Sequence, residues 1–287
     1  MRKGLAVASC GLLSGLYVTS LYVWTLKRGA KLRHRDEPIE ILQRFASVFF
    51  VCIASVAYVQ IILISGTELS LAHCLGFRKE NLFSAIVVPM LPLLSLFLGP
   101  IVMSSIDWVN YASSLGFFST TTKHVRTMAT DLLTMRNLVV GPVSEELVFR
   151  ACMALFLSSA RFSHTHVVLI SLFFFGIAHL HHVIQHVHKG GRTLREGWLE
   201  VLFQLVYTSL FGAYAMHLFL ATGHFIAPLL AHVFCNFMGL PEFHRIPGHM
   251  YKRLVSACLF IGIILFGLLL GPCTNPALFD SMYQSTE

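Results

Sequence analysis

Charged side chains are scarce in this chain. Asp, Glu, Lys and Arg make up 12% of its 287 residues, and only 14 of them are acids. Ordinary soluble domains carry about twice that charged fraction, so a water-exposed globule is excluded. The seven cysteines form no CxxC pair and mostly sit in apolar segments. They read as small buried hydrophobes, which excludes a disulfide framework. There is no HExxH zinc motif, no internal repeat and no low-complexity stretch. Arg2 and Lys3 resemble the charged start of a signal peptide. The apolar stretch after them is too long for one and lacks a small-x-small cleavage site, which points to a retained helix.

What fills the chain instead is apolar: 55% of residues are hydrophobic and 24 are Phe. Apolar runs long enough to cross a bilayer recur along the whole length, so the expectation is a polytopic all-α integral membrane protein. A single membrane domain over 1–287 should hold about eight spans, near 4–26, 45–65, 82–103, 137–160, 165–187, 198–222, 223–240 and 254–270. Pro89, Pro92 and Pro100 should kink or interrupt the third. The stretch 104–136 mixes apolar residues with Asp107, Lys123, Arg126 and Asp131, a pattern open to interfacial helix.

The net charge of +7 would suggest nucleic acid in a soluble chain. Here the basic residues lie in short loops between apolar runs, so no nucleic-acid partner is expected. Fifteen of the 21 Lys and Arg fall in the loops after spans one, three, five and seven, against five on the opposite side. That bias puts those loops in the cytosol and both termini across the membrane.

Against this apolar background, Gly141-Pro-Val-Ser-Glu-Glu-Leu-Val-Phe-Arg150 is costly. Ionisable groups inside a membrane segment cost several kcal/mol and mark a function or a paired structural site. On a helix Glu146 and Arg150 are i, i+4, so the arginine neutralises one glutamate locally. Glu145 points about 100° away and keeps the unpaired charge, a setting suited to general-base work. Two further pieces lie on later spans: Phe175-Gly-Ile-Ala-His179 and His232-Val-Phe-Cys-Asn236. Glu145 should lie about 12 Å below the cytosolic face at about 1.5 Å per residue. His179 comes one to two turns before the cytosolic end of its span, and His232 and Asn236 lie in the last third of theirs. Four polar residues from three spans thus share one depth. A glutamate and a histidine can hold and deprotonate a water, and His232 with Asn236, i, i+4 on one face, can supply donors to an oxyanion.

Glu145-Glu146-x-x-x-Arg150, Phe175-x-x-x-His179 and His232-x-x-x-Asn236, in that order on successive spans, resemble the type II CAAX prenyl endopeptidases, the Ras-converting proteases, within a wider superfamily of intramembrane glutamate proteases. The resemblance covers spans four to seven. It implies an eight-helix enzyme of the endoplasmic reticulum membrane, with a cavity open to the cytosol. It also implies cleavage after the prenylated cysteine of CAAX proteins, such as Ras-like small GTPases, with release of three residues and no metal or cofactor. Carried over by position, Glu145 and His179 activate the water, His232 and Asn236 stabilise the oxyanion, and Glu146 and Arg150 organise the site. Such a substrate keeps its isoprenoid in lipid and its peptide near water.

Three other readings stay open on residues alone. His179, His182 and His186 share a helical face and with Glu145 could hold zinc. Cys235, three residues after His232, could serve as a nucleophile. Paired intramembrane carboxylates also suit a proton-coupled transporter, or a scaffold that binds prenylated proteins without cutting them.

Overall fold

A computed structural model describes residues 1–27, 34–64, 70–115, 131–180 and 194–283, and among them it holds helices and no strands. Lys3–Ser20 forms α1, followed by a short turn of helix at Val23–Lys27. Pro38–Val59 forms α2, with its proline in the first turn where no N–H is required, and runs on as π-helix over Gln60–Ile64. Leu82–Val87, Met90–Leu96 and Leu98–Leu115 are α3, α4 and α5.

The next run, α6, is helical without interruption but changes pitch four times. Leu132–Met135, Gly141–Glu145 and Met153–Ser159 are α-helical, whereas Arg136–Val140 and Glu146–Cys152 are π-helical. Asp131 caps its start, its carboxylate accepting from the Thr134 N–H at 2.8 Å and the Thr134 hydroxyl at 2.9 Å. His164–His179 is α7, Leu194–Thr222 is α8, Ile226–Met238 is α9 and Lys252–Cys273 is α10. Gly223, at φ +64°, turns the chain from α8 toward α9 in a left-handed conformation that glycine adopts without strain.

The α6 helix is the axis of the molecule. From Val148 to Leu157 every side chain is buried, as expected of a helix apolar all round and enclosed by others. Helices α1, α2 and α7 pack along one side of it, and α8 and α9 along another. Beyond α9, α10 lies against α4 and α5. There Gly99 and Gly262 let backbones close up, since a Cβ on Gly262 would collide with the Ser95 carbonyl. Large apolar side chains stand exposed on the outer faces of α2 (Phe49, Phe50, Ile53) and α10 (Phe260, Ile264, Leu268), which is the surface a bilayer covers.

Three helical stretches among the described residues are by themselves long and apolar enough to cross a membrane: Pro38–Leu63, Leu202–Thr222 and Lys252–Cys273. The third expected span is broken, as its prolines suggested: Leu82–Leu96 and Leu98–Tyr111 meet at 80° around Phe97. The expected first, fourth, fifth and seventh spans correspond, among the described residues, to helices that are shorter or change pitch. The part of the 104–136 stretch that is described continues α5 to Leu115 and begins α6. The rest of it lies outside the described residues, as do the end of the fifth span and Lys31 and Arg33 of the first loop.

Candidate active site

The glutamate pair sits where α6 changes from α-helical to π-helical pitch, the kind of local widening often found at functional positions. Immediately before the pair, Ser144 anchors the helix to α1. Its hydroxyl donates to the Val140 carbonyl at 2.7 Å, so the buried 2.9 Å contact with Tyr17 has the phenol as donor. Tyr17 also meets the Phe149 ring edge-on at 5.2 Å.

Glu146 and Arg150 are both fully buried and pair with Oε2 and Nε 3.3 Å apart, as the i, i+4 spacing predicted. That contact is close enough for an ion pair, but it is not aligned as a hydrogen bond. The guanidinium instead stands over aromatic faces, its carbon 4.0 Å from the Phe175 ring centre and 5.8 Å from that of Phe211. Such stacking of a desolvated cation contributes about 2 kcal/mol. Phe175 thus serves two motifs at once, since its ring also meets the His179 imidazole at 4.4 Å.

The other oxygen of Glu146 reaches α9: Oε1 is 2.6 Å from His232 Nδ1. With Glu146 ionised against Arg150, this is an Nδ1–H donating to a carboxylate, a charge-assisted bond. The same imidazole turns its Nε2 toward Glu145, 3.9 Å from Oε2, and rests on Phe211 at 4.8 Å. His232 therefore links the two glutamates, a contact the sequence reading did not include. Glu145 retains 24% side-chain exposure where Glu146 retains none, and that difference separates a carboxylate that can meet water from one that cannot.

His179 donates from Nδ1 to the Phe175 carbonyl, 2.7 Å away, which places its neutral-form acceptor at Nε2. Asn236 lies one turn beyond His232, toward the exposed end of α9. Its Nδ2 donates to the Asn137 carbonyl at 2.8 Å, which engages one of its two amide hydrogens.

Glu145, His179, His232 and Asn236 all line one cavity of about 900 Å³, with Cys235 beside them. Its walls come from α1, α2, α6, α7, α8, α9, α10 and the broken span. Glu146 and Arg150 stand behind the wall, in contact with lining residues but outside the cavity lining. Among the described residues no three His, Cys, Asp or Glu side chains gather closely enough to hold a metal ion. Of the trio considered for zinc, His182 and His186 lie outside the described residues, as do His181 and His188. Sequence reasoning missed Tyr17 and Phe211, which support the site from helices that carry no motif, and Ser144, next to the glutamates on α6. Aromatic residues are too common in this chain for their placement to signal anything.

A family model described as "Type II CAAX prenyl endopeptidase Rce1-like" matches residues 129–238. The chain is similar to CAAX prenyl protease 2 of Homo sapiens, 38% identical over 283 residues that cover 96% of this chain and 83% of that protein. It is also similar to CAAX prenyl protease 2 of Arabidopsis thaliana, at 36% identity over 98% of this chain and 93% of that protein. Similarity to the probable CAAX prenyl protease 2 of Schizosaccharomyces pombe is 28% over 88% of each. No solved structure matches the chain.

Proposed function

As the chain belongs to the type II CAAX prenyl endopeptidases and is a membrane hydrolase of prenylated CAAX proteins, we propose that it cuts by direct water attack, with Glu145 as the general base. The observation that carries this reading is that Glu145, His179 and His232, from three helices, line one cavity while Glu146 and Arg150 neutralise each other behind it.

In this mechanism a water sits between Glu145 and His179. The imidazole accepts from it at Nε2 and fixes the oxygen, and the Glu145 carboxylate takes the proton as the oxygen adds to the scissile carbonyl. The carbonyl oxygen becomes an anion and needs donors. His232 spends its Nδ1–H on Glu146, so an Nε2–H donor requires the imidazolium. The nearby Glu145 and Glu146 carboxylates, with Arg150, leave room for one such positive charge. The second amide hydrogen of Asn236 completes the pair of donors. Collapse of the adduct returns the proton from Glu145 to the departing amine and releases the last three residues.

Ras-like small GTPases are the proposed clients, the endoplasmic reticulum membrane the proposed site of action, and the cytosol the side on which the cavity opens. The loop charge bias supports that orientation.

The test is release of the tripeptide from a prenylated CAAX peptide by the purified protein. Glu145→Gln and His179→Ala should each lower kcat by about 10²–10⁴-fold, with thermal unfolding close to that of the parent. Undiminished cleavage by either variant would remove the water-activation scheme. Cleavage of an unprenylated peptide in preference to the prenylated one would remove the substrate assignment.

A further inference from the structure

The cavity has a charge asymmetry that the hydrolytic scheme leaves unused. Among the described residues three arginines line it, Arg35, Arg44 and Arg136, against one carboxylate, Glu145. The acids that steady these arginines stand behind them and are not part of the lining. Arg44 Nε is 3.2 Å from Glu40 Oε1, and Arg136 is 2.7 Å from Asp36 Oδ1. Arg35 Nε lies 3.7 Å from the same Asp36 oxygen. Arg136 also donates to the Arg35 carbonyl at 3.1 Å and to the Asn137 side chain at 3.0 Å. Glu37, the remaining acid of this corner, accepts from the His34 N–H.

Burial, followed by the like charge of Arg136, pulls the Arg35 guanidinium below the ordinary arginine value. A second anion at this corner would relieve that strain. Across the cavity the wall is apolar: Leu96 and Phe97 at the broken span, Leu259, Ile263 and Phe266 on α10. The lining therefore combines a cationic cluster with a hydrocarbon patch.

Length supplies the second observation. Arg136 precedes Glu145 by nine residues on the same helical run, about 13 Å along the axis at an α-helical rise and somewhat less across the π-helical turn. Three extended residues span about 10 Å, and the arginine side chain covers the remainder. A peptide whose scissile carbonyl sits at Glu145 would bring its third following residue to the arginines.

We propose that Arg35 and Arg136, backed by Arg44, receive the free C-terminal α-carboxylate of the substrate, and that this contact fixes the cut three residues from the chain end. The inference rests on the endopeptidase reading above. Guanidinium forks match a carboxylate in geometry as well as charge. In this arrangement the hydrocarbon wall takes the isoprenoid and the cationic wall takes the terminus. The enzyme holds its substrate at both ends of the segment it cuts.

A phospholipid headgroup could offer the same corner an anion, so the test uses enzyme in nanodiscs of phosphatidylcholine alone, with a parallel arm containing phosphatidylserine. The probes are one prenylated CAAX peptide as the free acid and the same peptide as the C-terminal amide. Amidation should lower kcat/KM by roughly ten- to a hundredfold, mainly through KM. Arg35→Gln and Arg136→Gln should depress cleavage of the acid far more than of the amide, driving the acid-to-amide ratio toward one, and Arg35→Lys should restore part of it. A merely structural arginine would lower both substrates together and leave the ratio intact, which overturns the proposal. Equal cleavage of acid and amide by the parent enzyme also overturns it, as does a ratio that appears only with phosphatidylserine. Failure to cut either peptide would instead bring down the endopeptidase reading beneath it.

Discussion

Replacing Glu146 by methionine should damage stability and activity for different reasons, and a second substitution separates them. In the parent, Glu146 meets a fully buried arginine on one oxygen and His232 on the other. Glu146→Met strands Arg150 as a buried cation with only the Phe175 and Phe211 faces for company. Breaking one partner out of a buried ion pair costs about 3–5 kcal/mol, a large part of the ~5–15 kcal/mol that holds a typical domain folded. Adding Arg150→Met removes the stranded charge and leaves two flexible apolar side chains of similar length. Replacements of that kind are about neutral in stability. Activity should not follow, because His232 Nδ1 has lost the carboxylate that orients its ring, and loss of an oriented oxyanion donor costs roughly 10²–10³ in kcat.

The assay can use the protein's own thiols. Cys10, Cys74, Cys152 and Cys273 are free and buried, so a thiol-reactive fluorophore reports unfolding in detergent as they become exposed. The expected order of unfolding temperatures is parent and double variant close together, with Glu146→Met well below. Tripeptide release should be near background in both variants. A single variant as stable as the parent would refute the claim that this pair is a desolvated ion pair. A double variant that cleaves at the parental rate would refute the role given to the Glu146–His232 contact.

Three further outcomes follow from single contacts. Gly262→Ala, which forces a methyl against the Ser95 carbonyl, should separate α10 from α4 and lower stability by about 1–3 kcal/mol, read as a lower thermal midpoint in the same thiol assay. Asp131 is held below the ordinary aspartate value by the Thr134 N–H and hydroxyl. Its cap is therefore complete above the unfolded-state value of about 4 and is lost as pH falls through the lowered folded-state value. Amide exchange at the start of α6 should accelerate in that acid window, and Asp131→Ala should abolish the pH dependence. Cys235→Ser, on the cavity wall, should retain cleavage within a few-fold of the parent; complete loss would revive a thiol nucleophile.

The grouping of the candidate site residues was legible in sequence because charge is so rare here that each buried polar residue stands out. Glu146 and Arg150 could be paired from their i, i+4 spacing, and the prolines around Leu91 foretold a break in the third span. Three features were not legible. Hydropathy adds over helical breaks and changes of pitch, so it does not show where an apolar run is segmented. The contact between His232 and Glu146 joins residues 86 apart, and no local pattern encodes it. Arg35, Arg44 and Arg136 were counted toward membrane orientation. A basic residue near a membrane face satisfies that bias whether it faces solvent or the interior of a cavity, and only its position relative to α6 tells the two apart.

The 80° break at Phe97 has a consequence for how a lipid-borne molecule comes in from the bilayer. Two limbs at nearly a right angle cannot both stand upright, so if one crosses the bilayer the other lies close to its plane. A hydrocarbon tail meets a low sill on that flank instead of a full-height palisade. Phe97, at the corner, packs its ring edge-on against Phe234 at 5.3 Å, one residue before Cys235 on the helix that carries His232. Whatever slides over the sill therefore brushes a side chain in direct touch with α9.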